Sequence, residues 1–139
     1  MRNLKKAGLI ILVIFYFVAG VNHFRAPAMY VSIIPGYLPY PKLLNFLAGI
    51  CEIGFALLLI PRKTRHFAAW GIVLMLVAFL PVHVKMIADA PIGVGSLRIT
   101  PFVAWVRLIV FQPLLILWAW YYTGLANTPH PALSKGEGF

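Results

Sequence analysis

The 139-residue chain is 62% hydrophobic and only 11% charged, with a mean hydropathy of +0.90, whereas soluble domains carry about 45–50% apolar and about 25% charged residues. So little charge excludes a soluble surface, and so much apolar side chain excludes disorder. Twelve basic residues against three acidic ones give a formal charge of +9, but the basic residues fall between apolar runs, where they set topology and meet anionic headgroups rather than nucleic acid.

The pattern predicts one all-α domain, a four-helix transmembrane bundle. Its spans run over about Ala7–Phe24, Leu43–Ile60, Phe67–Met86 and Pro101–Tyr122, each near the ~20 residues that cross a ~30 Å hydrocarbon core. Arg2, Lys5 and Lys6 before the first run imitate a signal peptide, but the run has no clear break at Gly20 and three further spans follow. It is therefore expected to stay as the first helix. Between spans one and two, Pro27, Pro35, Pro39 and Pro41 are interleaved with Met29, Tyr30, Ile33, Ile34, Tyr37, Leu38 and Tyr40. Pro27 suits the first turn of a helix and Pro35-Gly36 its end. A short interfacial helix followed by a proline turn is expected there, with Tyr30, Tyr37 and Tyr40 able to roof a pocket and at least two of them expected to act as interfacial anchors instead.

Residues Arg62–Arg65 are expected to form a tight cytoplasmic turn, and the tail 123–139, rich in Gly, Pro and Ser, a flexible cytoplasmic segment. The heavier basic load on Arg2, Lys5, Lys6, Arg62, Lys63, Arg65 and Lys135 puts both termini in the cytoplasm by the positive-inside rule. The expected location is the inner or plasma membrane, with several passes. Trp105 at one end of span four and Trp118, Trp120, Tyr121 and Tyr122 at the other are expected to form interfacial belts. His66 and His130 fall in cytoplasmic segments.

Polar side chains inside spans are costly and need a partner or a purpose. Glu52 lies ~13 Å below the start of span two, and Arg107 ~9 Å into span four, at 1.5 Å per residue. His23 and His83 end the outward-going spans, so the polar groups gather in the outer half of the bilayer. Similar depth predicts a direct Glu52–Arg107 ion pair. On span two, Asn45, Ala48, Gly49, Glu52 and Ala56 share one helical face, whose small residues admit a close neighbour. Tyr16, Ala19, Gly20 and His23 form a similar face on span one. Gln112 stands ~140° around span four from Arg107 and is expected to bond a neighbouring helix instead. Pro81 removes a backbone donor from span three and leaves carbonyls near Met75–Val77 for neighbouring groups to satisfy.

Cys51 is the sole cysteine, which excludes an internal disulfide, a CxxC pair and a thiolate metal cluster. Three acidic residues exclude a carboxylate-rich metal centre built from this chain alone. Two histidines on different helices suit haem or metal ligation, or proton transfer to a quinone, or simple satisfaction by backbone, water or Glu52. No metal site is expected.

Taken in order, Gly20-Val-Asn22-His23-Phe24 with Pro27, Ile34-Pro35 and Leu38-Pro39, Gly49-x-x-Glu52-Ile53, Leu58, Pro61, Arg65, Ala68-Ala69-Trp70-Gly71, Pro81-x-His83, Met86, Arg107 and Gln112-Pro113 resemble the DoxX family of small four-helix membrane proteins. The resemblance implies a four-helix bundle associated with membrane redox chemistry. Its members are linked to quinone-reducing thiosulfate oxidation, maturation of periplasmic redox enzymes and oxidant defence, and related eukaryotic proteins to receptor assembly.

The expectation is an accessory subunit of membrane redox chemistry, with a pocket facing the outer leaflet for a quinone or lipid. Glu52, Arg107, His23, His83, Asn22, Asn45 and Gln112 are the candidate pocket residues. Glu52 and Arg107 would orient the ligand oxygens, and His23 or His83 would handle protons. No covalently bound cofactor is expected, with quinone the candidate ligand. The expected partners are membrane lipid, a redox enzyme or other membrane protein, and a second copy in a homo-oligomer. The alternative is a non-catalytic assembly or chaperone module binding a partner membrane protein. A transporter fits less well, because four helices leave little lumen and the cytoplasmic half offers no polar path.

Overall fold

The computed structural model describes residues 2–124; Lys135, His130 and the tail beyond Gly124 lie outside the described residues. Helix α1 runs Arg2–Arg25, α2 Pro27–Ser32, α3 Pro41–Leu58, α4 Arg62–Ala78 and α5 Leu80–Asp89. A hairpin of β1 (Ile92–Val94) and β2 (Leu97–Ile99) follows. Then come α6 (Pro101–Val106), a π-helical turn (Arg107–Phe111) and α7 (Gln112–Tyr121). Four helical stretches are long and apolar enough to cross a membrane: Asn3–Arg25, Pro41–Leu58, Arg62–Asp89 and Pro101–Tyr121. With Ile10, Leu47, Leu74, Ile109 and Leu114 bare on the outside, the chain is a multi-pass membrane protein: such side chains favour lipid contact as strongly as burial.

Prolines punctuate these elements. Pro27, Pro41 and Pro101 each occupy the first turn of a helix, where a missing N–H costs no bond and φ is already helical. Pro81 ends α4 and restarts the chain as α5 after Phe79. The link between α3 and α4 is shorter than the sequence suggests. Arg62, Lys63 and Arg65 belong to the first turn of α4, so the expected Arg62–Arg65 turn is replaced by Leu59, Ile60 and Pro61. Within this first turn, Thr64 and Arg65 cap the preceding helix. Arg65 donates from Nε to the Leu59 carbonyl at 2.8 Å and from a terminal nitrogen to the Ile60 carbonyl at 2.8 Å. Thr64 Oγ1 donates to the Leu58 carbonyl at 2.7 Å. These are carbonyls that a helix C-terminus leaves without intrahelical partners.

The most extensive interhelical contact joins α1 to α3, and α4 packs on both α3 and α7. The buried positions of α3 are Asn45, Gly49, Glu52 and Ala56, a single stripe at spacings of three and four. Leu12, Tyr16, Ala56, Leu59, Ala68, Ala69, Ile72, Leu76, Leu115 and Ala119 form the core. Glycines bring the α1 and α3 backbones together. A Cβ on Gly20 would lie 2.9 Å from both the Gly49 carbonyl oxygen and the Ile53 nitrogen. Backbone cannot yield as a side chain does, so Gly20→Val is expected to lower the thermal unfolding midpoint in detergent. A loss of about 1–3 kcal/mol, typical of overpacking, is the expected size.

The hairpin between α5 and α6 was not anticipated from the sequence. Its antiparallel register pairs Ile92 with Ile99, Gly93 with Arg98 and Val94 with Leu97. The turn rests on Gly95 at φ +63°, and Val94 is buried where β1 meets α2. Two three-residue strands are too short for alternation to show in a sequence.

Candidate functional site

Below α2 the helices enclose a cavity of about 440 Å³. Tyr16, Ala19 and His23 of α1 line one wall, with Tyr30, Ile33 and Ile34 of α2 above them. Asn45, Ala48 and Glu52 of α3 line the next wall, and Met75, Leu76, Phe79, Val82, His83 and Arg107 complete the enclosure. Phe15 of α1, Leu47 and Cys51 of α3 and Ala78 of α4 also line it while remaining exposed, so part of its wall is continuous with the apolar outer surface. The Pro81 break makes room here, since a straight helix would carry its side chains past Phe79 without interruption.

The best-satisfied part of the wall joins α1 and α3. His23 Nδ1 lies 2.7 Å from Asn45 Oδ1, and Asn45 Nδ2 donates to the His23 carbonyl at 3.0 Å. The second bond satisfies one of the orphan carbonyls at the end of α1. On the far side of the ring, His23 Nε2 stands 3.4 Å from Glu52 Oε2, long for a hydrogen bond. Tyr30 stacks on the imidazole, with centroids 3.9 Å apart and planes 25° from parallel. Burial pushes the Tyr30 hydroxyl above its ordinary range, so it stays protonated at neutral pH. Tyr37 and Tyr40, both 75% exposed, do not roof the cavity.

The direct Glu52–Arg107 ion pair expected from depth is not formed. Among the described residues the ion pairs are His23–Glu52 and Lys85–Asp89, and Arg107 donates instead to Gln112 Oε1 at 3.2 Å. The Gly20–Gly49 approach sets α1 against α3, so His23 reaches the carboxyl first. Arg107 comes from the opposite wall, carried by a segment that packs on α5 and α7.

The predicted separation of Gln112 from Arg107 also fails, for a local reason. Residues 107–111 form a π turn, and the Gln112 N–H bonds to the Arg107 carbonyl five residues back. Five residues per hydrogen-bonded ring bring 107 and 112 onto one face, where α-helical geometry would hold them ~140° apart. Pro113 accounts for the turn: it has no N–H and its ring would press on the carbonyl four residues earlier, which a widened turn avoids. Gln112 does bond a neighbouring helix. Its Nε2 donates to the Leu76 carbonyl, within the stretch that Pro81 leaves short of donors.

Of the sequence candidates, His23, Asn45, Glu52, His83 and Arg107 meet at the cavity. Gln112 is buried behind Arg107 and holds it. Asn22 does not join them; it lies on an adjoining open groove with Ile11, Ile14 and Val18 that shares Phe15, Ala19 and Tyr30 with the cavity, since it sits one position from His23 and so ~100° around the helix. Tyr16 was missed as a pocket residue. It is 2% exposed and lines the cavity, and its place seven residues before His23 on one helical face was the available signal.

Several polar atoms around the cavity are buried without a hydrogen-bond partner: Tyr16 Oη, Glu52 Oε2 and both ring nitrogens of His83. The Gln112 amide lies beside His83; one of its two Nε2 hydrogens goes to Leu76 and its Oε1 accepts from Arg107, so the contact with His83 falls to the second hydrogen. Among the described residues no cluster of three His, Cys, Asp or Glu side chains could hold a metal ion.

No curated protein and no solved structure matches the chain. A family profile does match, over residues 12–123, which takes in the second, third and fourth spans, the greater part of the first and every cavity residue named above. The chain belongs to the family described as Domain of unknown function (DUF8561).

Proposed function

We propose that the protein is a DoxX-like membrane subunit whose cavity binds an apolar-tailed ligand with an oxygen-bearing head, a quinone or a lipid. The observation that carries this reading is the set of buried polar atoms without a hydrogen bond around one cavity, on Tyr16 and His83 and on Glu52, whose Oε2 meets only His23 Nε2 at 3.4 Å. Buried polar groups are ordinarily hydrogen-bonded, and leaving one unmade costs about 1–3 kcal/mol. Polar atoms converging on an otherwise apolar space are what a binding site for such a head group requires. Lining side chains that are also exposed on the apolar outer surface, Phe15, Leu47, Cys51 and Ala78, suit a ligand that arrives from lipid.

In this role Arg107, held by Gln112, orients an electronegative oxygen. His83 offers one donor and one acceptor, and the His23–Glu52 pair handles protons. On this reading the bundle sits in the inner or plasma membrane with both termini cytoplasmic and serves as an accessory to a redox enzyme. That orientation is the one favoured by the basic residues at the start of α1 and of α4. Native mass spectrometry of detergent-extracted protein, scanned for co-purifying small molecules, tests the reading. One quinone or lipid per chain is expected, and Glu52→Gln is expected to abolish its retention. Unchanged ligand content in Glu52→Gln, with altered co-purifying proteins, would favour an assembly module instead.

A further inference from the structure

Asn45 fixes more than the position of His23. Its Nδ2 is committed to the His23 carbonyl, so the atom facing His23 Nδ1 at 2.7 Å is the acceptor Oδ1. An amide oxygen opposite a ring nitrogen requires that nitrogen to carry hydrogen. With the proton on Nδ1, a neutral imidazole presents a bare lone pair at Nε2, 3.4 Å from Glu52 Oε2. A lone pair facing a carboxylate in an apolar enclosure is repulsive. The arrangement is attractive when one further proton lies between the two groups, drawn either as imidazole with carboxylic acid or as imidazolium with carboxylate.

We infer that Asn45, His23 and Glu52 form a proton-exchange site that holds one labile proton and presents it, in the same cavity as Arg107, to a weakly acidic oxygen head group on the bound amphiphile. This rests on the ligand-pocket reading above. The pair with its proton is neutral overall. When the ligand arrives as an oxyanion, the bond from the proton to the pair breaks and an O–H bond forms on the ligand; the ligand goes from −1 to 0 and the pair from 0 to −1. Arg107 on the facing wall of the cavity offsets the negative charge in both states. The other titratable groups on the cavity are Tyr16 from α1, Tyr30 from α2, Cys51 from α3 and His83 from α5. Asn45 is a positioning residue, acting through the imidazole tautomer.

The test uses the full chain in lipid nanodiscs. Nitrogen-15 NMR of the histidines should find His23 protonated at Nδ1, with Nε2 the atom whose signal moves in Glu52→Gln. Asn45→Leu should mix the tautomers, and Asn45→Asp, which keeps an acceptor for Nδ1, should restore the single form. A bare Nδ1 in the native protein overturns the proposal.

Ligand preference is read with a long-chain alkylphenol against its O-methyl ether, and a fatty acid against its methyl ester. At least about tenfold tighter binding of an acidic head over its capped form is expected, because a charge-assisted hydrogen bond is made in one and not in the other. The two pairs distinguish a phenolic, hydroquinone-like source from a lipid carboxylate. If capped and acidic forms bind equally, proton exchange is refuted while the pocket stands. If none of the four binds, the pocket reading fails and the exchange site falls with it.

Discussion

Gln112→Leu is expected to lower the unfolding midpoint more than any other single change in the helices. The side chain joins three elements: its Nε2 donates to the Leu76 carbonyl on α4, its Oε1 accepts from Arg107, and it is 1% exposed. Interhelical hydrogen bonds inside membranes are worth about 0.6–1.7 kcal/mol each, and a buried carbonyl left unpaired costs about 1–3 kcal/mol. A loss of about 2–4 kcal/mol follows from those terms. Gln112→Glu should lose less, because a carboxyl oxygen still accepts from Arg107 while the donor to Leu76 is gone. Denaturation of the two variants in one detergent measures the order. Equal midpoints for Gln112→Leu and the native protein would show that the Pro81 break is satisfied by other means.

His83→Leu has the opposite sign for stability. His83 is 7% exposed, and neither ring nitrogen has a hydrogen-bond partner. Exchange for a side chain of similar size removes an uncompensated desolvation cost, so the midpoint should rise by an amount corresponding to about 1–3 kcal/mol. Ligand affinity should fall about 10- to 100-fold, the same energy read at the ligand. A group that destabilises the fold and strengthens binding is characteristic of a functional site. If His83→Leu lowers the midpoint, the histidine is part of the packing and the cavity loses one of its binding groups.

The sequence carried the architecture well and the contacts within it less well. Span lengths, the short helix after Pro27 and the stripe from Asn45 to Ala56 follow from local rules, because each depends on spacing along one helix. Which side chains meet depends on how far apart the helices stand. Glu52 and Arg107 have similar depth, but Gly20 and Gly49 draw α1 onto α3 and bring His23 to the carboxyl first. The Arg107–Gln112 contact was hidden because α-helical rotation was assumed through residues that form a π turn ahead of Pro113. Asn22 was grouped with its neighbour His23 although adjacent positions on a helix face different ways.

The central claim is that the space among Tyr16, His23, Glu52, His83 and Arg107 is a binding site. Ala48 lines it from α3 and is half-buried, so Ala48→Trp fills the cavity while leaving each of those polar groups in the chain. Native mass spectrometry of the native protein and this variant, purified side by side, tests the claim most directly. The prediction is a bound amphiphile on the native chain and none on a variant that still elutes as a folded protein. Equal small-molecule content in the two, whether present or absent, would contradict it.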